Sequence, residues 1–129
     1  MLPSRVISLA IARPLAEVYA FAYKPENFPR WAAGLSNSLK PDGDRWIALT
    51  PDGPAEVVFS PPNAFGILDH WVKLPSGEVY IPLRVIANGD GAEVQFTLFR
   101  QPAMSDADWA RDASLVTQDL AALKALLEA

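Results

Sequence analysis

Few residues of this sequence could carry chemistry. They are its single histidine, His70, in the stretch GILDHWVKL, the aspartate before it, Asp69, and Arg100 at the end of the last alternating run. Imidazole has an unperturbed pKa of about 6.5 and can move a proton near neutrality, and an arginine offers a two-pronged fork to a carboxylate. General base catalysis also requires a group that orients the base, so an adjacent Asp-His pair invites a dyad reading. With one His and no Cys there is neither a zinc-thiolate set nor a thiol nucleophile. No metal or cofactor is therefore expected. NGDG is the nearest approach to a phosphate loop, and it lacks the following helix and the Lys-Ser/Thr pair of such loops.

The elements that must hold these residues decide between the readings. Successive side chains of a strand point to opposite faces. If Leu68, Val72 and Leu74 face inward, His70 does too, and Asp69, Trp71 and Lys73 face outward. On the next run Val79, Ile81, Leu83 and Val85 form the apolar set, with Tyr80 and Arg84 opposite. A loop over Pro75 to Glu78 would pair Leu74 with Val79, Val72 with Ile81 and His70 with Leu83, leaving Asp69 across from Arg84. Across NGDG the same exercise pairs Val85 with Val94, Leu83 with Phe96 and Ile81 with Leu98, and puts Arg100 inward near Val79. Asp69 and His70 then lie on opposite sides of a sheet and form no dyad. His70 becomes a neutral wall residue, and Arg100 either an anchor for a ligand carboxylate or a side chain that reaches water or pairs with Asp106 or Asp108. Trp71, Tyr80 and Phe99 cluster on the outer face as a surface for a homodimer.

The remaining chain supplies the frame. RVISLAI alternates as a strand, Pro14 opens a helix through PLAEVYAFA, and KPENFPRWA forms a second short helix with Phe28 and Trp31 three apart. Six short strands follow: LSNSL, RWIALT, AEVVFS, GILDHWVKL, EVYIPLRVIA and AEVQFTLFR. The turn signals KPDGD, TPDGP, SPPNAF, PSG and NGDG separate them. After Pro102, Ser105 caps a long helix, with Asp108 in capping-box position. Trp109, Ala113, Val116, Leu120, Leu123 and Leu127 form its apolar stripe. Trp46 sits in a run where both faces are apolar, so its facing stays open.

Length and charge bound the rest. The 129 residues suit one domain, and the net charge of −4 with 11 scattered Lys and Arg excludes a phosphate-tracking stripe, so nucleic acid is not an expected partner. Neither a secretory leader nor a run of about 20 apolar residues is present, which predicts a cytoplasmic protein without membrane insertion.

In this order, Ile11 with Pro14, EVYAFAYKPENFPRW, NGDGAEVQFTLF and the closing helix resemble the START-related helix-grip superfamily (SRPBCC), which includes polyketide cyclase/dehydrase-like proteins and lipid carriers. The resemblance spans residues 1–129 as a single START-like domain. It implies an α+β fold, a curved antiparallel sheet of about seven strands (β-α-α-β6-α) wrapped around a long C-terminal helix, with a cavity between them. The expected function is binding of a small hydrophobic or amphipathic molecule, with Trp31, His70, Phe96, Arg100 and Trp109 as wall residues. Two rivals belong to other classes: a polyketide cyclase/dehydratase-type enzyme using His70 in the cavity, and a non-catalytic dimeric interaction module with a collapsed pocket.

Overall fold

A computed structural model describes residues 1–32, 38–50 and 53–129. The chain runs through β1 (Ser4–Ile11), α1 (Leu15–Ala22), a 3-10 turn (Pro25–Asn27), α2 (Phe28–Trp31), β2 (Lys40–Asp42), β3 (Arg45–Thr50), β4 (Gly53–Phe59), β5 (His70–Leu74), β6 (Gly77–Ile81), β7 (Leu83–Asn88), β8 (Gly91–Phe99) and α3 (Asp106–Glu128). No helix among the described residues is long and apolar enough to cross a membrane.

All strand pairs are antiparallel, in two runs, β1-β8-β7 and β2-β3-β4-β5-β6. The division falls within the expected strand EVYIPLRVIA. Pro82 has no N–H to give a ladder, so β6 and β7 are two halves of one kinked strand and the described strands number eight. Backbone bonds stitch the halves together: Leu68 N–H to the Leu83 carbonyl at 2.8 Å, Val85 N–H to the Gly66 carbonyl at 2.8 Å, and Thr97 N–H to the Pro82 carbonyl at 3.0 Å.

Two register expectations are corrected. The β5–β6 hairpin turns over Pro75 and Ser76 alone, with Gly77 at φ 147°. His70 therefore pairs with Ile81 and Val72 with Val79, two residues from the expected partners, with every facing preserved. The β7–β8 register is as expected from Val85↔Val94 to Leu83↔Phe96, but ends there, and Ile81 does not pair with Leu98. LSNSL falls mostly outside the described residues, and β2 starts at Lys40, so KPD of KPDGD is strand and the turn is Gly43–Asp44.

α3 opens with the expected capping box: Asp108 N–H donates to Ser105 Oγ at 3.0 Å, and Ser105 N–H to Asp108 Oδ2 at 3.3 Å. Ala113, Val116, Leu120 and Leu123 of its stripe are buried, and the last three join Ile11, Val18, Leu83, Val85 and Val94 in the core. Burial of each large aliphatic side chain contributes roughly 1.5–3 kcal/mol. The helix packs chiefly against β1 and α2. Trp46 packs partly buried against this core and Ala48 is buried, while Leu49 is exposed, which settles the facing of β3.

Candidate functional site

Two adjoining chambers lie between the sheet and α3. The inner one, about 60 Å³, is walled by α2 (Phe28, Trp31), the inward residues of β3 to β6 (Ala48, Val57, His70, Ile81), Phe96 of β8, and Val116, Asp119 and Leu120 of α3. The outer one, about 280 Å³, lies under the seam where β6 and β8 part beyond Pro82, and reaches Gln101, Met104 and Asp112. Thr50, Val72, Ile81, Phe96 and Val116 belong to both walls, so the chambers adjoin across these side chains.

His70 is 4% exposed. Its ring meets Phe28 edge-on at 5.3 Å between centroids and lies 5.9 Å from Phe59. Nδ1 lies 3.0 Å from the Leu68 carbonyl, and since a carbonyl only accepts, the proton sits on Nδ1 and Nε2 carries the lone pair. Burial pushes the imidazole pKa down, against the smaller upward pulls of the Leu68 carbonyl and Asp69, so the ring is held neutral. Trp31, 2% exposed, packs edge-on against Phe28 at 4.9 Å, and its Nε1–H has no acceptor among the described residues.

Asp69 has no part in the chambers. It was expected on the outer face opposite Arg84, and it does pair with Arg84, but as a carboxylate only 5% exposed. Arg84 Nε and Nη2 donate to its two oxygens at 2.7 Å each, Tyr80 Oη donates at 2.8 Å, and the Leu83 backbone N–H at 2.9 Å. Burial alone would raise this carboxyl, but the donors from Arg84, Tyr80 and Leu83 outweigh it and hold the pKa below the ordinary value. Exposure fails as an expectation because β5 begins only at His70. Asp69 lies in the crossing where the two sheets meet.

Of the expected wall residues, Trp31, His70 and Phe96 come together in the inner chamber, and Arg100 and Trp109 do not. β8 ends at Phe99. Strand parity therefore no longer governs Arg100, whose guanidinium turns to the start of α3, donating to Asp106 at 2.6 Å and to the Met104 carbonyl at 3.1 and 3.3 Å. Trp109 lies in the first turns of α3, beyond the cavity end of the stripe, with Arg5 at 4.9 Å and Arg100 at 5.8 Å over its ring.

Sequence reasoning missed Asp119, Asp112 and Thr50. Asp119, 6% exposed, lines the inner chamber and Asp112 the outer. The signal was available, since residues 112, 116, 119, 120 and 123 share one helical face at steps of three and four. Burial is the main cause that raises the Asp112 pKa.

This architecture is the helix-grip fold. No family model matches the chain, and no curated protein matches it. Solved structures do. An uncharacterized protein from Bacillus thuringiensis superposes with a TM-score of 0.76 at 16% identity, covering 98% of this chain and 100% of that one. The Aha1 dimer from Colwellia psychrerythraea gives 0.75 at 13%, covering 98% and 97%. CalU16 from Micromonospora echinospora gives 0.68 at 18%, covering 96% and 73%.

Proposed function

We propose that this protein binds a small apolar or amphipathic molecule in the paired chambers, with Trp31, His70 and Phe96 on the inner wall. The supporting observation is that a largely apolar outer chamber adjoins an inner one holding a few buried polar groups, the composition typical of ligand sites. Native mass spectrometry of freshly purified protein tests the reading: a retained small-molecule adduct, or saturable shifts of chamber resonances with added aromatic probes, is expected. Absence of both would overturn it.

A proton-transfer role for His70 is the second reading, favoured by its neutral ring with an unprotonated Nε2 and by Asp119 on the same wall. It requires activity toward a bound molecule that His70→Gln abolishes while binding persists.

We also propose that the chain forms a homodimer through Trp71, Tyr80 and Phe99. These rings stack in a row, with centroids 5.2 and 6.4 Å apart, and Tyr80 is exposed. Sedimentation of the wild type against Trp71→Ser tests this, and an unchanged monomer in both would refute it.

A further inference from the structure

We propose that the occupant is an uncharged, hydroxyl-bearing apolar molecule, an alcohol or phenol whose hydroxyl seats in the inner chamber, and that carboxylates of the same shape are rejected. This rests on the ligand-binding reading above and names the chemistry of the occupant. Two buried wall groups have hydrogen-bonding capacity of opposite sense. Trp31 brings an Nε1–H with no acceptor among the described residues. His70, with its Nδ1 proton given to Leu68, brings an Nε2 acceptor that forms no hydrogen bond among the described residues. Both rings pack against Phe28, at 4.9 and 5.3 Å, so the donor and acceptor share one neighbourhood. A hydroxyl is the smallest group that both accepts and donates. A chamber of about 60 Å³ accommodates only a few heavy atoms of a ligand, whose apolar body would occupy the outer chamber of about 280 Å³.

Charge gives the second half of the selectivity. No Lys or Arg lines either chamber among the described residues, whereas Asp119 and Asp112 do. Arg100, for which anchoring a carboxylate was one of two readings, takes the other and is engaged with Asp106 and Met104 outside. An entering carboxylate would lose its hydration with no cation in reach and two carboxyl groups on the wall. An ammonium would find carboxyl partners but would leave the Trp31 donor unsatisfied.

The experiment titrates the 15N-labelled full chain with four probes of one shape: 2-naphthol, naphthalene, 2-naphthoate and 2-(aminomethyl)naphthalene at pH 7. Binding of 2-naphthol about tenfold tighter than naphthalene is expected, the size of one buried hydrogen bond, together with a downfield shift of the Trp31 indole N–H resonance and no saturable binding of 2-naphthoate. Trp31→Phe, which keeps a ring in place, should erase the naphthol preference while naphthalene still binds. Equal binding of naphthol and naphthalene, or tightest binding of the carboxylate or the amine, would overturn the hydroxyl assignment and leave the ligand-binding reading standing. Failure of all four probes would overturn both.

Discussion

The carboxylate of Asp69 accepts the backbone N–H of Leu83 at 2.9 Å, beside the proline where one strand kinks between two ladders. A strand break orphans backbone donors, and this side chain satisfies one while also taking Tyr80 Oη and both prongs of Arg84. Removing it strands four donors, on three residues, at once. Asp69→Ala should lower unfolding stability by about 2–4 kcal/mol in urea titrations, whereas Arg84→Met, at a half-exposed partner, should cost less than about 1.5 kcal/mol. The folded carboxyl is more acidic than the unfolded one. Its contribution is thus present above about pH 4 and lost as pH falls through the depressed folded value. A cost for Asp69→Ala no larger than that of Arg84→Met would show that the junction does not depend on this carboxylate.

Facing was legible in the sequence for His70, Val72 and Ile81, and the β5–β6 register was not. Period two fixes which side of a sheet His70, Val72 and Ile81 occupy, but a slip of two residues preserves every facing. Only the turn separates the alternatives, and its tightness over Pro75–Ser76 depends on Gly77 at φ 147°. The strand break was visible as Pro82, yet a proline is compatible with an edge strand, so its consequence required the partner strands. At the site, Trp31, His70 and Phe96, whose directions are governed by parity or helical spacing, line the inner chamber. Arg100 lies just past the end of β8, where no periodicity constrains direction, and Trp109 falls in the first turns of α3, beyond the cavity end of its stripe. Asp119 escaped because its polarity hid its place on the apolar stripe of α3.

His70 should impose a pH dependence on stability. Its folded pKa is lowered by burial, so between about pH 6.5 and the lower folded value the unfolded chain binds a proton that the native ring refuses. Stability present above pH ~6.5 therefore falls as pH drops, by up to about 1.4 kcal/mol per pH unit, and levels off once the native imidazole titrates. Urea midpoints from pH 7.5 to 4.5 should show this slope in the wild type and not in His70→Phe. An equal slope in both would assign the effect to other groups.

Gly66 is held where no other residue fits. Its φ is 72°, and a Cβ there would collide with the Val85 carbonyl, across the Val85 N–H to Gly66 carbonyl bond of 2.8 Å. Gly89, in the β7–β8 turn, has a similar φ of 61° with open space around it. Gly89→Ala should then cost about 1–2 kcal/mol, the left-handed backbone term alone. Gly66→Ala should cost clearly more, since the crossing of the two sheets must also shift. Equal midpoints for the two variants in thermal unfolding would contradict the close approach.

The inner chamber exists because small side chains face it. On β3, Ala48 lines the cavity and pairs across the ladder with Ala55, both buried. Ala48→Leu places three more carbon atoms in that space. Filling a void restores dispersion contacts, so the substitution should leave stability unchanged or raise it by up to about 1 kcal/mol, whereas the same enlargement in a fully packed core would cost about 1–3 kcal/mol. Occupancy by 2-naphthol should fall at least tenfold, because the chamber near His70 and Trp31 is no longer free. A destabilised variant would show that the chamber is packed in solution. A stable variant with unchanged naphthol affinity would move the binding site entirely to the outer chamber.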